Sequence, residues 1–157
     1  MRSLPLSLGA ALLAALLAAP AASAMIQIDK GIAGARIGNT KAQVHAALGK
    51  PTSKHLGHND FGAFLEERYA GGLTVDYQGA KRVSSITTTG LGDRTARGVG
   101  VGSSEAAVKA KVPGVKCETT SGSRSCHTHK FTAGQRVSDF FIKHGKVARI
   151  SVGVVID

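Results

Sequence analysis

The sequence predicts an α+β fold of two tandem repeats, each a short helix packed on an antiparallel β-sheet. Three observations lead there. The chain has 157 residues, the length of one ordinary domain. A segment recurs within it at a fixed offset. Each copy then passes from helical spacing of its apolar residues to strand-like alternation.

The recurrence links Gly38-Asn39-Thr40-Lys41-Ala42-Gln43-Val44 to Gly102-Ser103-Ser104-Glu105-Ala106-Ala107-Val108, 64 residues on. The same offset pairs Ile37 with Val101, Leu48 with Val112, Leu73 with Val137, Tyr77 with Phe141, Val83 with Val147 and Ile86 with Ile150. Two copies of this size are too few for a solenoid and small for separate cores. The expectation is one folded body of two pseudo-equivalent halves, 25–90 and 99–157, joined by a linker at 91–98.

Residues 1–24 read as a secretory signal. Arg2 stands near the start, an Ala/Leu-rich stretch runs from Leu6 to Ala19, and Ala22-Ser23-Ala24 is a small-residue cleavage site. Beyond it no apolar run approaches the roughly 18–20 residues that span a bilayer, and no cysteine lies near the cleavage site to take a lipid. A soluble product, released to a periplasm or medium, is expected.

In the first half Thr40 is an N-cap with Gln43 three residues on as the far side of a capping box, and Val44, Ala47 and Leu48 follow at helical spacing. Gly49 and Pro51 stop that helix. Phe64 to Tyr69 reads as a strand. Leu73, Val75 and Tyr77 alternate, Gln78 to Lys81 turns the chain, and Val83 to Thr89 returns as the second arm of a hairpin. In the second half Ser104 caps, Val108 and Val112 lie four apart, and Pro113-Gly114 ends the helix. Cys117 to Phe131 supplies further strands, and Val137 to Ile142 with Val147 to Val155 forms the last hairpin.

Cys117 and Cys126 are the two cysteines. An even pair in an exported chain is most simply one disulfide. The turn-forming Ser121-Gly122-Ser123 between them would bring two strands, and the two thiols, face to face.

The repeated element, an apolar residue followed by Gly-x-Thr/Ser-x-x-x-Val-x-x-x-apolar at Ile37 to Gly49 and Val101 to Gly114, resembles the tandem-repeat family of the β-lactamase inhibitory protein and the SmpA/BamE envelope lipoproteins. That resemblance implies a doubled helix-plus-four-strand unit whose sheet grips a partner protein, with no enzyme activity and no cofactor. It also implies a hairpin disulfide after the helix, and an acidic-aromatic loop, which Asp60-Phe61 resembles.

Candidate sites follow from the residues themselves. Exposed sheet aromatics such as Phe131 and Phe140 would serve a protein interface. The charge of +10, falling only to +9 when Arg2 is removed with the signal, points to a second reading: a basic module for anionic envelope polymer or a membrane surface. Lys81, Arg82, Lys143, Lys146 and Arg149 would carry it, with Arg94, Arg97, Lys109, Lys111 and Lys116 nearby in sequence. Export and the shortage of stacking aromatics, five Phe and two Tyr, speak against nucleic acid.

Metal and catalytic signals are weak. His127 and His129 share a face if their segment is a strand, with His144 or the His55/His58 pair as further ligands, yet no acid or thiol at metal-ligand spacing completes the set. Glu66 and Glu67 are adjacent, so they point to opposite faces and read as a solvated edge. No Gly-x-Ser-x-Gly elbow occurs, and Gly98 to Gly102 lacks the Lys-Ser/Thr ending of a phosphate loop. The expected product is a secreted, non-catalytic protein-binding module.

Overall fold

The computed structural model describes residues 25–79 and 81–156; the expected signal at 1–24 and Ala80 of the first hairpin turn lie outside the described residues. Twelve strands and two helices follow in order among them: β1 (Met25–Gln27), β2 (Gly31–Ile32), β3 (Ala35–Arg36), α1 (Lys41–Leu48), β4 (Ser53–Asn59), β5 (Gly62–Tyr69), β6 (Leu73–Gln78), β7 (Arg82–Thr88), β8 (Arg94–Thr95), α2 (Glu105–Lys111), β9 (Lys116–Thr120), β10 (Ser123–His127), β11 (Arg136–Lys143) and β12 (Lys146–Val154). Eight strands make one antiparallel sheet in the order β4-β5-β6-β7-β12-β11-β10-β9, and four make a small one in the order β3-β2-β1-β8.

This corrects the expected α+β class. The protein is mostly β, and it is not two helix-on-sheet repeats. The reason lies in how little the helices cover: α1 buries only Val44 and α2 only Val108. A helix of two turns with one buried residue cannot serve as a packing layer. The large sheet is instead covered by the N-terminal strands and by the segment after β7, with Ile26, Ile32, Ala35, Val99 and Val101 joining Val75, Tyr77, Ile86, Phe140, Ile150 and Val152 in one core. The stretch expected as linker contains β8, which pairs in parallel with β1 through Met25–Arg94 and Ile26–Thr95.

The 64-residue offset marks a local device. Gly38 donates its backbone N–H to the Val83 carbonyl at 2.9 Å, and Gly102 does the same to Val147 at 2.7 Å. Val83 and Val147 donate in return to Asn39 and Ser103. Both glycines sit at φ +87°, a region an L side chain enters only with strain. The matched motif is therefore a glycine turn that fastens each helix start to a hairpin. Thr40 and Ser104 cap as expected, and Thr40 with Gln43 completes a capping box.

The expected hairpins form as β6–β7 and β11–β12, each with a register shift. Cys117 and Cys126 face each other across β9 and β10 and are joined by a disulfide. β4, Ser-Lys-His-Leu-Gly-His-Asn, had no strand signal; it is largely exposed and held at the sheet edge by seven register pairs with β5. No helix among the described residues is long and apolar enough to cross a membrane.

A Gly102→Ala substitution should lower stability by about 1–2 kcal/mol, because only the backbone conformation is penalised. Gly92→Ala, where an added Cβ meets nothing within 4 Å, should change it by less than about 0.5 kcal/mol. Urea unfolding of the two variants checks this.

Candidate functional site

Strand alternation gives the large sheet two unlike faces. On β6, Leu73, Val75 and Tyr77 turn into the core, which leaves Thr74, Asp76 and Gln78 on the other side. On β12, Ile150 and Val152 turn inward and Ser151 and Gly153 outward; on β11, Phe140 and Ile142 turn inward and Asp139 and Phe141 outward. Register carries the outward residues across the sheet in one row: Thr74, Thr87, Ser151, Asp139, His127. Thr87 donates to the Ser151 hydroxyl at 3.1 Å within that row.

Small residues on the central strands leave this face concave. Ser85, Ser151 and Gly153 give it a low floor, and a Cβ on Gly153 would already press on Ser85 at 3.3 Å. Two hollows adjoin there. One of about 350 Å³ lies among Phe61, Phe64, Asp76, Gln78, Ser85 and Val154; the other, of about 240 Å³, lies among Ser85, Phe131, Val137, Asp139, Gly153 and Val154. Phe61 and Phe131, 52% and 56% exposed, stand at their far rims. Polar or cationic neighbours brace the aromatics of this face: His55 lies 5.8 Å from Phe64, His127 4.9 Å from Phe131, and the Arg149 guanidinium 4.9 Å above Phe141.

Each hollow holds one carboxylate in an unfavourable setting. Burial pushes Asp76 above its ordinary range, against the pull of a 2.6 Å hydrogen bond from Ser85, and Glu66 adds to the rise. Burial likewise raises Asp139, although Ser125, His127 and Arg149 act the other way. Asp139 Oδ1 is buried with no hydrogen-bond partner among the described residues. Desolvated acids lining a concavity mark it as a candidate functional site. Sequence reading passed over both residues; the available signal was an acid in a strand of otherwise apolar and hydroxyl residues.

The sequence-derived candidates are distributed unevenly over this site. Asp60 and Phe61 share the exposed β4–β5 turn, and Phe61 reaches the hollow whereas Asp60 does not line it. Phe131 is exposed, but it stands in the loop between β10 and β11 rather than on a strand as expected. Phe140 is corrected: it is fully buried, paired with Cys126 on one side and Ile150 on the other, because position 140 falls on the inward phase of β11. Glu67 is corrected too. Instead of a solvated edge it is fully buried and meets His45 at 2.9 Å, Tyr69 at 2.9 Å, Tyr77 at 3.1 Å and Lys54 at 3.2 Å. Burial works to raise its pKa, but the hydrogen bonds from His45, Tyr69 and Lys54 prevail and hold the carboxyl below its ordinary value. Glu66 stays on the open face, bonded to Arg68 at 2.7 Å.

The basic candidates do not form one patch. Lys143 and Lys146 face each other at the β11–β12 turn, whereas Lys81 and Arg82 lie at the β6–β7 turn. β7 and β12 run antiparallel with Ser85 opposite Gly153, so the two turns sit at opposite ends of the sheet, about 30 Å apart at strand rise. Arg149 lies between them over Phe141. His127 and His129 diverge: His127 is buried, within 3.1 Å of the Glu118 carboxylate, while His129 meets Asp29 at 3.1 Å. His55, His58 and His144 are exposed on other segments.

No family model matches the chain, and no curated protein matches it in sequence. Its fold is similar to that of solved structures. The uncharacterized protein YfeY from Escherichia coli aligns with a TM-score of 0.51 at 14% identity, over 80% of this chain and 97% of that one. An extracellular protein containing an SCP domain, from Bacillus anthracis, aligns with a TM-score of 0.51 at 10% identity, over 75% of this chain. The alignment spans only 44% of that longer protein. At such identities the likeness is one of fold alone. It replaces the resemblance to the β-lactamase inhibitory protein and SmpA/BamE lipoproteins, which rested on the helix-lead motif now seen as a local turn device.

Because the native state holds the Asp139 proton more tightly than the unfolded chain, its ionised form costs stability above the native pKa, and that cost is relieved as pH falls through it. Asp139→Asn should therefore melt higher than wild type at pH 7, with the gain shrinking towards pH 4. Melting curves across that range check the sign.

Proposed function

We propose that the protein is a non-catalytic binding module that receives another exported or envelope protein on the open face of the large sheet. The observation that carries this reading is the pair of adjoining hollows, rimmed by exposed phenylalanines and each floored by a desolvated aspartate. Exposed aromatics beside a concave floor are the usual anchors of a protein interface. Carboxylates that cost the free protein stability are worth keeping where a partner supplies the missing donor. A partner segment with apolar side chains flanking a Lys or Arg fits both hollows. The disulfide suits an oxidising compartment. The alternative, a basic module for anionic polymer, is less well supported, since its cations are split between two ends of the sheet.

Immobilised protein should retain a stoichiometric partner from envelope or culture fractions through a high-salt wash. Phe61→Ser with Phe131→Ser should weaken that retention at least about tenfold, while Lys143→Gln with Lys146→Gln should not. Retention lost with salt and with the lysine pair, but kept by the phenylalanine pair, would favour the electrostatic alternative.

A further inference from the structure

Away from the open face, beside the small sheet, lies a cavity of about 500 Å³ between β1, the β8 turn and the end of α2. Its apolar walls include Met25, Ile28, Val112 and Pro113, and Lys30, Arg36, Arg97 and Lys111 also line it, with no acidic residue among the lining set. None of these four cations belongs to an ion pair among the described residues. Five acids are paired with other cations: Glu105 with Lys109 and Arg124, Glu66 with Arg68, Glu67 with Lys54, Glu118 with His127 and Asp29 with His129. Arg97 donates to the Lys111 carbonyl at 3.4 Å, which ties the loop after β8 to the last turn of α2 at one side of the opening.

We propose that this cavity binds a small anionic amphiphile, a ligand with one carboxylate or phosphate head on an apolar body. Like charges around a single opening repel one another until an anion neutralises them, and the planar Arg fork and the Lys ammonium both hold carboxylate and phosphate oxygens with charge-assisted hydrogen bonds. The apolar walls, with Met25 56% exposed, call for a hydrocarbon body that a free phosphate or a polyanion does not offer. The volume is that of a small-molecule site.

Calorimetric titration with dodecanoate and dodecyl phosphate below their micelle concentrations tests this, with dodecanol and inorganic phosphate as the uncharged and the headgroup-only probes. Both anionic amphiphiles should bind at one per chain. Arg36→Gln with Lys111→Gln should weaken them at least about tenfold, and Lys143→Gln with Lys146→Gln, the same charge change at a distant turn, should leave them unaltered; far-ultraviolet dichroism confirms that both variants fold. The proposal is overturned if wild type binds neither amphiphile, if dodecanol or inorganic phosphate binds as tightly, or if the two double variants lose affinity equally. It is also overturned if nuclear Overhauser contacts seat residues preceding Met25 against Ile28 and Val112.

Discussion

The β7–β12 seam is the constraint on which the rest depends. Four register pairs, Thr88–Ile150, Thr87–Ser151, Ile86–Val152 and Ser85–Gly153, join two four-stranded halves into one sheet. On the inner side they bring Ile86, Ile150 and Val152 into a single core. On the outer side the same pairs set Ser85, Thr87, Ser151 and Gly153 together and create the low floor between the hollows. A Cβ at Gly153 would meet Ser85 at 3.3 Å, so any larger residue there would press on β7. One set of backbone hydrogen bonds thus fixes both the hydrophobic layer and the shape of the open face.

The two faces treat buried charge in opposite ways. Glu67 on the inner face is fully buried, yet four donors surround it and hold it ionised, while burial and, after it, the same carboxylate push Tyr69 and Tyr77 up. That arrangement fastens β4, β5, β6 and α1 to one another, and loss of any donor would leave charge unbalanced in the interior. Asp76 and Asp139 on the outer face are only partly satisfied. Among the described residues Glu67 Oε1, buried like Asp139 Oδ1 and without a hydrogen bond, at least has the Lys54 ammonium at 3.2 Å, whereas Asp139 lines a hollow on the open face with no ion pair of its own.

The legible parts of the fold were those with local signals. Thr40 and Gln43 announced the first helix start, the alternation of Leu73, Val75 and Tyr77 announced β6, and Ser121-Gly122-Ser123 placed Cys117 opposite Cys126. Hairpins are written in neighbouring residues, so they could be read. The class of the fold depends on long-range pairing that leaves no such trace: Met25 with Arg94, and Thr87 with Ser151. A short capped helix reads the same whether it covers a sheet or merely borders one, and here Val44 and Val108 are the whole buried contribution. Phe140 and Phe141 show the same limit at the site. Two adjacent aromatics must face opposite ways, and the phase that buries Phe140 is set by its neighbours Cys126 and Ile150, far away in sequence or across a turn.

Native-state hydrogen exchange measured residue by residue tests the central claim, that one sheet joined at the β7–β12 seam carries both core and binding face. The amides of Ile86, Thr88, Ile150 and Val152 should exchange only through global unfolding, with a single opening free energy shared by β6 and β11. Seam amides that exchange as fast as those of the edge strands β4 and β9, with residues 25–90 and 99–157 opening at separate free energies, would contradict it.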